Sequence, residues 1–411
     1  MKQFFYFLLL PLMAVFTISC KNESTSTDYE YDYLPIKLVG SERWSILDVQ
    51  TGEVLFKDEF KNQPSLISHG VFLIENGNGT YDYYSVQNVK TPINKTSYYM
   101  AADFVGADIV PATLPGKPII LINSRCEIIA TLDKSIKACG KVIDGLAPFM
   151  DYTDKFGFID ANGNIVIKAQ YDNVQYFHEG IAVCTEKNEE YNLTTYHILN
   201  KEGKELFKLT SNDYDYIGTY NDGFLPAMKD NEIVYLDNTG KIVYTLCKIE
   251  ESARENLGVF YCKNGRSVFC EGDMYGLKDK ENNIVLRAKY DMLTYGDDGI
   301  YIAKKGNKFG AIDLTDKVIL DFKYDGIWKL NKNAFVVING KTATLINDKG
   351  EDATNVNFSD FSFAPIMFVK SDCDGPELET PVDDINYEDS TAVDTAFIDD
   401  FYDVPDTAGY Y

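Results

Sequence analysis

The sequence predicts an all-β repeat array, most simply a β-propeller, and three observations carry that prediction. Tyr and Phe together number 54 of 411 residues, the payload of a large β core. Val/Ile-rich alternating stretches recur along the chain, while no apolar stripe at helical spacing persists over four turns. The third observation is internal repetition. Segments such as "IILINSRCEIIATL", "FGFIDANGNIVIKA", "EIVYLDNTGKIVYTL" and "FGAIDLTDKVILDF" align on Asn123, Asp160, Asn200, Asp237, Asp279, Asp313 and Asn347, spaced by 37, 40, 37, 42, 34 and 34 residues. Asp48 lies 75 residues before Asn123, two periods, with a degenerate copy around Ser85 between them. About nine units thus fill residues 35–372 as one array instead of several domains.

Each unit reads as four short strands. An apolar strand such as "EGIAVCTEK" is followed by "TYHILN" or "FGAID", a tight turn, "NIVIKA" or "NIVLRA", and then "YDNVQYF" or "YDMLTY". Such a meander cannot bury both faces alone and must stack on its neighbours. Radial stacking gives a propeller; a β-solenoid or superhelical β-repeat array is the alternative. Strands near both ends, "LPIKLVG" and "PIMFVKSD", are expected to share a blade and close the ring.

Phe156-Gly157-Phe158-Ile159-Asp160, Gly163, Val166-Ile167, Tyr171-Asp172 and the Phe177, Gly180-Ile181-Ala182-Val183 closure resemble the bacterial WG-containing repeat. The resemblance returns at Tyr275-Gly276, Tyr290-Asp291, Phe309-Gly310 and Tyr324-Asp325, with Phe or Tyr where the family usually has Trp. It implies an interaction-type β repeat and no particular reaction.

Ahead of the array, "MKQFFYFLLLPLMAVFTISC" has an early Lys, a short apolar run and small residues before Cys20, a secretory signal and not a spanning helix. Its end resembles the lipobox of bacterial lipoproteins, which implies that residues 1–19 are removed and that Cys20 carries fatty acyl chains. A lipid-anchored chain follows, with residues 20–34 as a polar, acidic tether. The expected location is the outer membrane, on its periplasmic or cell-surface face.

Candidate chemistry resolves mostly into turns. Asp160, Asn162, Gly163 and Asn164 look like the start of a calcium loop, but equivalent positions elsewhere hold Lys201 and Lys349, which would repel a cation. An Asp/Asn-Gly hairpin explains them better, so no metal and no cofactor is expected. Asp172, Asp215, Asp291 and Asp325 follow a Tyr once per unit, a uniformity suited to turn-making instead of a unique active site. Motifs for zinc, nucleophilic serine and phosphate binding are absent from the sequence. Seven Cys remain beside Cys20; Cys262 and Cys270 flank a hairpin and form the expected disulfide, with Cys126 and Cys139 a second candidate pair.

The tail, residues 373–411, is expected to be disordered: from Asp374 it holds 12 acidic residues and no Lys or Arg. Ser390, Thr395 and Thr407 follow Asp in a pattern that resembles an O-glycosylation sequon of exported Gram-negative proteins. A net charge of -24 argues against a nucleic-acid partner. Two functions stay open: a binding or scaffolding module for a protein or glycan, and a glycan-active propeller hydrolase or lyase. The missing motifs favour the non-enzymatic one.

Overall fold

The structure, a computed structural model, describes residues 31–249, 257, 260–296, 299–362 and 367–371. The repeats form antiparallel four-stranded blades in chain order. Ile136–Gly140, Leu146–Asp151, Phe156–Asp160 and Ile165–Tyr171 build blade 4. Blades 5 to 8 repeat that order, with first strands at Asn173–Val174, Tyr216–Ile217, Cys262–Lys263 and Met292–Tyr295. Blade 3 begins at Met100–Ala101 and blade 9 at Gly326–Asn331. Second strands, such as Leu225–Lys229, are buried nearly throughout, whereas fourth strands, such as Ile284–Tyr290, alternate toward solvent at the outer edge. Turns between first and second strands of blades 4 to 7 take positive φ at two successive residues, as at Glu179 (49°) and Gly180 (78°). That geometry makes the two-residue hairpin whose twist matches its strands.

The aromatic-Gly pair has a specific mechanical reason. In blade 4 the register between third and fourth strands shifts on either side of Phe158, so the fourth strand bulges over Gly157. A Cβ there would sit 2.3 Å from the Ile167 carbonyl oxygen and 2.7 Å from the Ala169 nitrogen. Gly276 and Gly310 face the same crossing, at 2.4 Å from Leu286 O and 2.8 Å from Leu320 O. The aromatic partner pairs across to the Tyr of the Tyr-Asp dipeptide: Phe156 with Tyr171, Tyr275 with Tyr290, Phe309 with Tyr324. Gly157→Ala is expected to cost about 2 kcal/mol, because the obstruction is backbone and cannot rotate away; urea unfolding measures it.

The array closes. Phe358–Phe361 pairs with Tyr33–Leu38 and contacts Thr342–Asn347, so one seven-stranded sheet joins the first three strands of the chain to the last blade. Blade 1 is therefore Phe358–Phe361 followed by Tyr33–Leu38, Trp44–Asp48 and Val54–Phe60. Blade 2 keeps two regular strands, Val71–Glu75 and Tyr81–Ser85; residues 93–98 complete it irregularly, with the Asn94 side chain accepting from Tyr83 N. Apolar clusters link every neighbouring pair around the circle. Trp44 packs with Phe72, Tyr83 with Val110, Leu121 with Phe149, and Phe158 with Phe177. Val183 packs with Val234, Tyr235 with Phe269, Val268 with Tyr301, Ile302 with Phe335, and Val336 with Leu34. The described residues thus build a nine-bladed propeller. One expectation is corrected: Phe368–Lys370 does not share a blade with Tyr33–Leu38 but adds to the first strand of blade 4. Phe358–Phe361 takes the closing role because it directly follows the irregular end of blade 9.

Candidate functional site

In a propeller the axis and the two hairpin faces are where unlike residues can meet, and here the axis is filled by the chain itself. Two described segments enter it, residues 102–107 before the second strand of blade 3, and residues 362 and 367–371. Val105 joins the apolar cluster of Leu34, Trp328 and Leu330, reaching from blade 3 to the seam of blades 9 and 1. Ser362 is held between blades 1 and 2: its hydroxyl donates to Pro64 O at 2.6 Å and its amide to Pro35 O at 3.0 Å. Met367 O, only five residues later, accepts from Lys141 N and from the Tyr176 hydroxyl beside blade 4. Thr113 Oγ1 then donates to Lys370 O at 2.8 Å.

At the heart of this latch lies a buried ion pair. Lys141 Nζ donates to Asp103 Oδ1 at 2.6 Å and to Val105 O at 3.0 Å, while the same Oδ1 accepts from Val105 N at 2.9 Å. The two side chains are 0% and 1% exposed. Burial pushes the Lys141 ammonium below its usual range, and Asp103 opposes that shift. Sealed from solvent, the pair fixes the plug and cannot exchange protons with a substrate. Sequence reasoning missed it; the available signal was a Lys inside the apolar run "KACGKVIDGLAPF".

The carboxylates of the ring hold blades to one another. On the face of the first hairpins, Asp144 Oδ2 accepts from Gly180 N at 2.7 Å, and Glu179 accepts from Asp222 N at 2.8 Å. Asp222 in turn accepts from Gly265 N and from Lys280. On the opposite face the Tyr-Asp carboxylates do the same work. Asp172 accepts from Lys155 in blade 4 and from Lys187 N in blade 5, and Asp325 from Lys308 in blade 8 and Gly340 N in blade 9. Burial favours the neutral form of Asp172, yet Lys155 and the Lys187 amide hold its pKa below 3.8. The Gly340 amide and then Lys308 do so for Asp325. A lowered folded-state pKa gives stability that is present above the unfolded value of 3.8 and lost as pH falls through the lower folded value. The melting temperature is therefore expected to be level from about pH 7 to 5 and to fall below about pH 4. Asp172→Asn with Asp325→Asn should flatten the fall in a pH-scanned thermal melt.

Asp160 behaves as a turn residue. Its Oδ1 accepts from Asn162 N at 2.8 Å and Asn164 N at 2.9 Å, and Oδ2 from Asn164 Nδ2 at 2.9 Å. Gly163 has φ 80°, and a Cβ on it would meet Leu132 of the preceding blade at 2.9 Å. The hairpin glycine is thus an inter-blade contact as well as a turn. Cys262 and Cys270 are not joined. Cys262 lies opposite Ser267 with its thiol 3.5 Å from Asp222 Oδ2, while the Cys270 thiol meets Cys247 instead. The hairpin places them three residues out of register, which sequence spacing does not reveal. Cys126 and Cys139 also sit in separate apolar clusters. Cys20, Ser390, Thr395 and Thr407 lie outside the described residues.

Residues 156–188, 275–309 and 309–341 match the family described as WG containing repeat. These three stretches resemble the WG repeat. The matched stretches span the third strand of one blade through the second strand of the next, so the family's unit is offset from the structural blade by half. No curated protein matches the sequence. Among solved structures, a eukaryotic initiation factor is similar at 8% identity and TM-score 0.56, covering 82% of this chain and 97% of that one. This likeness concerns the fold alone. The dihydro-heme d1 dehydrogenase NirN aligns at 14% identity and TM-score 0.40 over 83% of this chain and 76% of that one. A protein of unknown function from Bacteroides caccae aligns at 12% identity and TM-score 0.26, over 81% and 98%. Neither of these two bears on function.

One further surface is built by the repeats. The fourth strands open with apolar residues left in solvent: Ile128 and Ile129, Ile165 and Val166, Ile242 and Val243, Ile284 and Val285. Each lies on a strand whose outer edge has no partner within the blade. The sequence marks these pairs as strand starts but does not show that they face outward.

Proposed function

We propose that this chain is a lipid-anchored cell-envelope protein whose WG-repeat propeller binds or scaffolds a protein partner. The observation that carries the binding half is the recurrent exposed apolar pair at the open outer strand edges. Main-chain edges provide affinity for an added strand and neighbouring apolar side chains provide selectivity. The carboxylates described above are committed to inter-blade amides and lysines, which favours binding over the alternative of glycan hydrolysis or lysis by a carboxylate pair. Cys20, with the short apolar run before it, supports the anchor.

Two measurements test this reading. Cells fed an alkynyl fatty acid should label the protein, and Cys20→Ser should lose both the label and the membrane fraction. Photocrosslinking from positions beside Ile165 and Ile284 in intact cells should trap one defined protein, lost when both residues are changed to Lys. Capture of glycan alone, or capture indifferent to these substitutions, would move the binding site elsewhere.

A further inference from the structure

Blades 4 and 5, 7 and 8, and 8 and 9 are each joined by a Tyr-Asp dipeptide directly after the fourth strand, whose carboxylate accepts a backbone amide of the next blade. The junction of blades 6 and 7 is bridged differently, by Asp222 on the opposite face. Its fourth strand, Ile242–Lys248, is followed by 13 residues before Cys262–Lys263, and no Tyr-Asp occurs there. A pair of thiols occupies the junction instead. Cys247 lies near the end of the fourth strand of blade 6 and Cys270 on the second strand of blade 7. The Cys270 thiol contacts Cys247 Sγ at 3.3 Å and Lys248 O at 3.3 Å.

We propose that Cys247 and Cys270 form an inter-blade disulfide under oxidising conditions, a covalent staple on the side of the junction where no Tyr-Asp carboxylate follows the fourth strand. The two sulfurs stand 3.3 Å apart in the structure, outside bonding distance. Closing 3.3 Å to the bonded distance of about 2.05 Å needs a shift within reach of side-chain torsion. The Cys262 thiol is turned to Asp222 and the Cys139 thiol to Gly140 O, so neither competes at this contact. Cys247, 9% exposed against 3% for Cys270, is the thiol an oxidant reaches first.

The reaction balances with a small disulfide as oxidant. Cys247 thiolate displaces one sulfur of that disulfide and releases a thiol. Cys270 then displaces the second sulfur from Cys247. Two S–H bonds break and one protein S–S bond forms, while the two electrons reduce the oxidant to two thiols. Contact with Cys270, followed by burial, pushes the Cys247 thiol pKa up, so oxidation of the folded chain should accelerate with rising pH. The staple closes a loop 23 residues long around the long junction.

This chemistry does not rest on the location proposed above, and the purified full chain tests it. The protein is reduced, desalted, incubated with glutathione disulfide, alkylated and mapped by mass spectrometry without reductant. The expected result is a peptide containing Cys247 joined to one containing Cys270, with the melting temperature raised by on the order of 4 °C and returned by dithiothreitol. Cys247→Ser and Cys270→Ser should each abolish the oxidant-dependent rise. Cys270 recovered as an alkylated thiol, or joined to Cys262, would overturn the proposal. So would an undiminished rise in Cys247→Ser. Should a variant fail to fold, the wild-type peptide map alone decides.

Discussion

Lys141→Ala is expected to lower the free energy of unfolding by about 3–5 kcal/mol, among the largest effects of any single side-chain truncation in the ring. The substitution leaves Asp103 inside the axial plug with the Val105 amide but without its cation. Most of the loss comes from that stranded carboxylate and not from the attraction itself. The double variant Lys141→Met with Asp103→Asn keeps the acceptor for Val105 N and removes both charges, so it should recover most of the stability. If the double variant is as unstable as Lys141→Ala, the pair's role is packing of the Lys stem and the electrostatic account fails. Urea unfolding followed by Trp fluorescence measures both. The pair ties blade 3 to blade 4 and, through Val105, to the seam, so its loss should loosen the C-terminal segment as well. Faster proteolysis at residues 367–371 would report that.

The repeats were legible because each is a local pattern. Asp160, Gly163 and the alternating "NIVIKA" fix a hairpin and its buried face within a dozen residues, and the period of the anchors fixes the count of blades. The exact closure was not legible. Phe358–Phe361 and Phe368–Lys370 are both short apolar stretches, and only tertiary competition decides that the first completes blade 1 and the second adds to blade 4. The Cys pairing failed for a related reason. Cys262 and Cys270 are close in sequence, but the two-residue turn at Asn264 and Gly265 sets their register and carries Cys270 to the neighbouring blade's edge. Lys141 and Asp103, 38 residues apart, meet only because two blades stack. What repeats within a unit can be read from the chain; what two unlike units share at the axis cannot.

Gly52→Ala distinguishes a closed ring from a linear stack of the same blades. Gly52 turns the outer hairpin of blade 1 with φ 70°, and a Cβ on it would lie 1.7 Å from Ala353 O and 2.8 Å from its carbonyl carbon. Thr354 Oγ1 also donates to Gly52 O at 2.8 Å, across 302 residues of sequence. In an open array this hairpin would face solvent, and the substitution would cost only backbone strain, about 1 kcal/mol. In the ring the backbone of blade 9 must retreat, so the expected loss is about 3 kcal/mol or more. Gly79→Ala supplies the control, since Gly79 has φ 77° with nothing within 4 Å of its added Cβ. The two tryptophans of the chain are Trp328, 6% exposed in the apolar cluster of the seam, and Trp44, 5% exposed where blade 1 packs on blade 2, so their fluorescence reports the seam and the blade beside it. A red shift in Gly52→Ala at denaturant concentrations where Gly79→Ala keeps its native spectrum is the expected outcome. Equal losses in the two variants would mean that blades 1 and 9 do not bear on each other in solution, and the propeller would have to be redrawn as an open superhelix.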